Sequence, residues 1–152
     1  MGQTVGSWES YGRSLLRFVL AFTFSLHGYR HLFGLFHASV GRRAAVPMAL
    51  DGLPAALGGL EIVGGILLFV GLFTPMTAAV LCAESLAAYL YFAAPRGGWP
   101  IRNGGNEALL YFIVFLYFAV AGGGAWSLDH LLRARSKTDP EDLLPARSPV
   151  RS

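Results

Sequence analysis

Residues 53–94 read LPAALGGLEIVGGILLFVGLFTPMTAAVLCAESLAAYLYFAA, an apolar stretch with two glutamates and no basic residue. A helix needs roughly 20 residues to cross a hydrocarbon core about 30 Å thick, so this stretch is long enough for two crossings. The turn Gly71-Leu72-Phe73-Thr74-Pro75 divides it, and Pro75 suits the first turn of a helix, where its missing N–H is not needed. The stretch therefore predicts two antiparallel membrane-spanning helices, 53–73 and 74–94, joined by a tight hairpin.

The composition of the whole chain agrees with a membrane protein. The chain has 152 residues, of which 54% are hydrophobic and 14% charged, against about 25% charged residues in an average soluble domain. Although the net charge is +3, the basic residues form no patch of the kind that binds nucleic acid. Cys82 is the single cysteine, which excludes a disulfide framework and a thiolate metal cluster.

Two further apolar segments, 14–36 and 106–123, complete a set of four spans. The predicted fold class is therefore all-α, an integral membrane four-helix bundle. Residues 1–13 form an N-terminal segment, the bundle occupies 14–132, and 133–152 form a polar, proline-containing tail that we expect to be disordered. Ser127 is a candidate N-cap for a short helix on the membrane surface.

The orientation of the bundle follows from its basic residues. Four spans place both termini on one side of the membrane. Near the membrane that side carries Arg13, Arg17, Arg133, Arg135 and Lys137, against Arg42, Arg43, Arg96 and Arg102 on the other side. Cytoplasmic loops carry an excess of Lys and Arg, so we expect both termini to be cytoplasmic.

Ionisable residues inside the predicted spans point to a polar site. Each such residue facing lipid at a helix centre costs about 2.5–3.5 kcal/mol, so we expect these side chains to face the bundle interior and to pair. His27 and Glu61 lie about 13 Å and about 12 Å deep from the same membrane face, counted from the helix rise. The predicted intramembrane site comprises His27, Arg30, His31, Glu61, Glu84 and Glu107. Arg17 is close to the end of its span, and we expect it to extend to the lipid headgroups.

The site permits two interpretations that the sequence leaves open. It is either a structural ion-pair network or a pocket for a quinone, a proton or a small polar molecule. Candidate quinone-binding residues are His27, Arg30, Glu61 and Tyr111. Haem is disfavoured because His27 and His31 share one helix face, and a metal ion is disfavoured because Arg30 lies among the candidate ligands.

The ordered set of motifs resembles the DoxX family of small four-helix membrane proteins, over about residues 13–132. Its components in chain order are Arg17, His27-Gly28-Tyr29-Arg30-His31-Leu32-Phe33-Gly34, the run from Glu61 to Thr74, Asn106-Glu107-Ala108-Leu109-Leu110-Tyr111, Gly122 to Gly124, and Ser127-Leu128-Asp129. Arg30-His31 departs from the single Lys or Arg that many members carry after the His-Gly pair. The resemblance implies a multi-pass protein of the bacterial inner membrane. It also links the chain to thiosulfate:quinone oxidoreduction, quinol oxidases and oxidative-stress assemblies.

Three functional hypotheses follow. The first is a membrane subunit of a quinone-linked redox assembly with a soluble redox partner protein. The second is a non-enzymatic scaffold that recruits soluble partners through residues 37–52, residues 95–105 and the tail. The third is a small-solute transporter, which would require a homo-oligomer. The sequence carries no dinucleotide fingerprint, phosphate loop or nucleophile–base pattern, so any enzymatic role is at most that of an accessory membrane subunit.

Overall fold

The computed structural model describes residues 2–33 and 52–136, and these residues are helical with no strands. The helices of this part of the chain are α1 (Gly2–Phe33), α2 (Leu53–Val70), α3 (Thr74–Ala88), α4 (Pro100–Asn103), α5 (Asn106–Ala121) and α6 (Leu128–Ser136). α3 continues through a π-helical turn, Tyr89–Ala93, into a 3₁₀ turn, Ala94–Arg96. The all-α prediction is confirmed for the described residues.

The predicted starts of three helices agree with the structure, whereas α2 and α5 end earlier than predicted, at Val70 and Ala121. α2, α3 and α5 begin at the predicted residues, whereas α1 begins at Gly2, inside the segment expected to precede the first span. The expectation of disorder from residue 133 onward is wrong for 133–136, which belong to α6. Arginines near the C-terminus of a helix stabilise it by interacting with its macrodipole. The tail beyond Ser136 and the first loop up to Asp51 lie outside the described residues.

The predicted hairpin between α2 and α3 is confirmed. Gly71 adopts a left-handed conformation with φ 71°, and the N–H of Leu72 donates to the carbonyl of Leu67 at 3.0 Å. This pattern satisfies carbonyl groups at the C-terminus of α2 that have no partner within the helix. Pro75 lies in the first turn of α3, as predicted. The chain therefore reverses within three residues, Gly71 to Phe73.

The helices pack mainly in two pairs. α1 packs along α2 and α3 packs along α5, whereas α2 and α3 contact each other less extensively. A Cβ atom on Gly28 would lie 2.8 Å from the carbonyl oxygen of Gly58, so the backbones of α1 and α2 approach closely where small residues meet. The buried apolar residues between the pairs are Leu20, Ala21, Phe24, Leu68, Ala78, Leu81, Cys82, Phe115 and Phe118.

The lengths of the described helices bear on membrane crossing. The continuous run Thr74–Arg96 has 23 residues and is long and apolar enough to cross a bilayer. The apolar runs Ala55–Val70 and Asn106–Ala121 are shorter than a full crossing. The prediction of four crossings therefore stays a prediction.

Candidate functional site

A cavity of about 1050 Å³ lies between α1, α2, α3 and α5, at the end of the bundle remote from the hairpin. Pockets for small molecules typically measure about 300–1,000 Å³ and combine apolar walls with a few polar groups. Most of this wall is apolar or aromatic. Its ionisable and phenolic side chains are His27, Glu61, Glu84, Tyr91, Arg96, Glu107 and Tyr111. The cavity thus has the size and the wall chemistry of a small-molecule site.

His27 lies among aromatic rings and next to a carboxylate. Its ring is nearly parallel to that of Phe24, with centroids 6.4 Å apart, and the Tyr111 ring lies 6.2 Å away at a steep angle. Its Nδ1 atom is 3.5 Å from Oε1 of Glu107 at the start of α5. The His27 side chain is 23% exposed and that of Glu107 is 58% exposed, so this pair connects the cavity with the outside.

Glu61 is more deeply buried and lies where α1 and α2 approach each other closely. Glu61 is 6% exposed, and a Cβ atom on Gly28 would lie 2.9 Å from the Cβ atom of Glu61. The absence of a side chain at Gly28 therefore makes room for Glu61 against α1, as expected from the small residues around it. Glu84 is half-buried on α3 and lines the same cavity. The structure thus brings together His27, Glu61, Glu84, Glu107 and Tyr111.

The position of Arg30 differs from the predicted one. Arg30 is exposed and does not line the cavity, whereas its position between His27 and His31 in the sequence predicts that it belongs to the site. Gly28 faces α2, and Arg30 follows it by two residues, a rotation of about 200° around an α-helix. Arg30 therefore lies on the side of α1 opposite to α2. His31 belongs to α1, but its side chain lies outside the described residues.

Arg96 lines the cavity, although its sequence position predicts only a loop residue. It is exposed and lies in the 3₁₀ turn that extends α3. Pro95 has no N–H to donate, so a regular α-helical pattern cannot continue through it, and the chain widens into the π turn before it. Tyr91 and Phe92 of this turn also line the cavity. The sequence feature that could have predicted this change of helix geometry is Pro95, at the end of a long apolar helix.

A second polar cluster, which we call the arginine cluster, lies at the hairpin end of the bundle and has Arg17 at its centre. Arg17 is fully buried. Its Nε donates to the carbonyl of Gly123 at 2.9 Å, its Nη2 donates to that of Trp126 at 2.6 Å, and its Nη1 donates to those of Leu68 and Phe69. The expectation that Arg17 extends to the headgroups is wrong, because carbonyls at the end of α2 and after α5 bind its guanidinium inside the bundle.

Asp129 completes the arginine cluster from α6. Its carboxylate accepts hydrogen bonds from the backbone N–H groups of Phe73 and Thr74, both at 2.7 Å, and so caps the start of α3. Its own N–H donates to the carbonyl of Gly71 at 3.0 Å. Ser127 accepts a hydrogen bond from the N–H of His130, as predicted for an N-cap. This cluster joins the hairpin to α1 and α6 and has a structural role.

The spacing of small residues along α1 indicates which face of this helix is buried. Ser14, Ala21 and Gly28 follow one another at intervals of seven residues, and all three are buried. Arg17 lies on this face, three residues after Ser14, and Arg30 does not. Within residues 2–33 and 52–136, no group of three His, Cys, Asp or Glu side chains is arranged to hold a metal ion.

Comparison with known proteins identifies the family. The profile of the DoxX family matches residues 12–94. An uncharacterized protein of Haemophilus influenzae is 41% identical over 128 residues, which cover 81% of this chain and 92% of that protein. No solved structure matches the chain. With more than half of the chain matched by the family profile, the protein is a member of the DoxX family of membrane proteins.

Proposed function

We propose that α1, α2, the extended α3 and α5 all cross the bacterial inner membrane, with both termini in the cytoplasm. The outward faces of these helices support four crossings. Large apolar side chains are exposed at helical spacing, among them Val63 and Ile66 on α2 and Leu110 and Ile113 on α5. Extended apolar surfaces of this kind are rare on soluble monomers and suit contact with lipid.

We propose further that the cavity binds the headgroup of a lipid-soluble quinone, and that the chain is the membrane subunit of a quinone-linked redox assembly. The observation that carries this proposal is an aromatic-walled cavity in which the His27–Glu107 pair lies close to Tyr111. A quinone ring is flat and apolar and packs favourably against aromatic side chains. Its two carbonyl oxygens accept hydrogen bonds and take up protons on reduction.

Reduction of a quinone to a quinol consumes two electrons and two protons, which convert both carbonyl groups to hydroxyl groups. In this proposal the electrons come from a redox centre in a soluble partner protein. The protons enter through Glu107 and His27, which are partly exposed, and Glu61 lies at the buried end of this path. Because Arg30 does not line the cavity, it has no role in this scheme.

A binding measurement tests the quinone proposal. The full-length protein in lipid nanodiscs is titrated with a tail-less benzoquinone, and binding is followed by isothermal titration calorimetry. Replacing His27 or Glu61 by glutamine removes a polar group that this proposal places against the quinone headgroup, so we expect each variant to bind about tenfold more weakly. Arg30→Gln is the matched control and should bind like the wild-type protein.

Two results would contradict the proposal. One is the absence of measurable quinone binding by the wild-type protein, and the other is equal affinity in the His27, Glu61 and Arg30 variants. If the protein binds no quinone but co-purifies with a soluble protein in stoichiometric amount, the scaffold hypothesis replaces the redox one.

A further inference from the structure

The hairpin fixes the place where α6 begins. The carboxylate of Asp129, in the first turn of α6, accepts hydrogen bonds from the backbone N–H groups of Phe73 and Thr74 at 2.7 Å. The N–H of Asp129 donates to the carbonyl of Gly71 at 3.0 Å. With four membrane crossings, the turn between α2 and α3 lies at the membrane surface. α6 therefore begins at that surface.

One stripe of α6 is apolar and exposed. Leu128, Leu131 and Leu132 are spaced by three and four residues, which places them side by side on the helix. They are between 40% and 56% exposed. Trp126, two residues before the helix, is also exposed, and its ring lies 5.3 Å from that of Tyr11. An exposed Trp beside a leucine stripe is typical of helices that lie between the headgroups and the acyl chains.

The last turn of α6 is basic. Arg133 and Arg135 are exposed, and neither forms an ion pair within the part of the chain that the structure describes. The carboxylate of Asp129 is bound to the backbone of the hairpin instead. Glu9, at the same end of the bundle, pairs with Arg13 at 2.8 Å. Arg133 and Arg135 are therefore available to an external anion.

We propose that α6 binds anionic phospholipids of the adjacent leaflet, with its leucine stripe among the upper acyl chains and its two arginines on the headgroup phosphates. A zwitterionic lipid also offers a phosphate but has no net charge, so two cations favour anionic lipids. Arg135 follows Leu132 by three residues and lies on the side of the leucines, from which its long side chain reaches the headgroups.

Phospholipid is the partner that suits both features of α6. Free phosphate would bind the arginines but leave the leucines in water, at a cost in free energy. The inference rests on the membrane crossings of the proposed function, and it is independent of the quinone proposal.

Quenching of tryptophan fluorescence tests the lipid preference of α6. The full-length protein carries Trp8→Phe, Trp99→Phe and Trp126→Phe, together with one reporter, Leu132→Trp on α6. Val19→Trp on α1 is the matched control reporter, since Leu132 is 54% exposed and Val19 is 55% exposed. The vesicles contain phosphatidylcholine with a minority of phosphatidylglycerol, and one of the two lipids at a time carries bromine on its acyl chains. The ratio of the two quenching signals measures the enrichment of phosphatidylglycerol at the reporter.

We expect phosphatidylglycerol to be enriched about fivefold or more at Leu132→Trp, since one arginine near an anionic surface contributes about 1 kcal/mol, which is about fivefold. At Val19→Trp the enrichment should stay within about twofold of unity. Adding Arg133→Gln and Arg135→Gln should abolish the enrichment at Leu132→Trp. Arg30→Gln with Arg102→Gln, which removes the same charge from other exposed positions, should leave it unchanged.

Equal quenching by both lipids at Leu132→Trp, or an enrichment that survives loss of the two arginines of α6, would overturn the inference. Quenching of Val19→Trp but not of Leu132→Trp would also overturn it, because α6 would then lie away from the bilayer. If neither reporter is quenched, the proposed membrane crossings themselves are wrong. Leu131→Trp, at a position that is 56% exposed, serves as the reporter if Leu132→Trp does not fold.

Discussion

Replacing Arg17 by methionine tests whether the arginine cluster stabilises the bundle. Two of the Arg17 hydrogen bonds, to the carbonyls of Gly123 and Trp126, join α1 to the segment that follows α5. A hydrogen bond that involves a charged group contributes about 1.5–3 kcal/mol, so loss of these two lowers the free energy of unfolding by about 3–6 kcal/mol. The bonds to Leu68 and Phe69 offset the desolvation cost of burying the guanidinium and therefore do not add to this difference.

Reversible unfolding by sodium dodecyl sulfate in mixed micelles, followed by far-UV circular dichroism, measures this difference. Arg17→Lys keeps the charge but lacks the planar array of five donors, so we expect a loss smaller than that of Arg17→Met but still measurable. Arg30→Lys is the control for Arg17→Lys on the same helix and should stay within about 0.5 kcal/mol of wild type, because Arg30 is exposed and the substitution keeps its charge. An Arg17→Met protein within about 1 kcal/mol of wild type would refute the reasoning, since it would mean that these bonds do not contribute net stability.

Two further predictions concern stability and use the same unfolding assay. Asp129→Ala removes the acceptor for two backbone N–H groups at the start of α3, and we expect a loss of about 1–2 kcal/mol. A wild-type unfolding curve for this variant would show that the cap is energetically neutral. Gly28→Ala places a Cβ atom 2.8 Å from the carbonyl oxygen of Gly58 and should cost about 1–3 kcal/mol. Gly12→Ala, in open space on the same helix, should instead stabilise by about 0.5–1 kcal/mol, and the reverse order of these two variants would contradict the close approach of α1 and α2.

The helix boundaries were largely predictable because they depend on local sequence. Pro75 and the glycine at the end of α2 mark the hairpin, and the apolar run before Pro95 predicts the long third helix. The depth of Glu61 and Glu107 relative to His27 also follows from counting residues along helices whose order is known. These residues do line one cavity. The extension of α6 to Ser136 could not be predicted, because the arginines of its last turn are equally typical of a disordered polar tail.

The two arginines of α1 show what the sequence could not decide. Both Arg17 and Arg30 follow apolar or aromatic residues in the same long helix, yet one is fully buried and the other is exposed. Counting residues establishes the angle between them but not the rotation of α1 relative to its neighbours. That rotation is set by contacts with α2 and with the segment after α5, through Gly28 and the carbonyls that bind Arg17.

The sequence alone determines the all-helical class, the hairpin and the family. It also determines how far along the bundle each carboxylate lies. These properties depend on hydrophobic length and residue spacing within one helix. Only the tertiary structure decides that Arg96 lines the cavity and Arg30 does not, and that Arg17 is buried among backbone carbonyls of other segments. Both outcomes depend on how separate helices are rotated and spaced against one another, and no periodicity within a single helix contains that information.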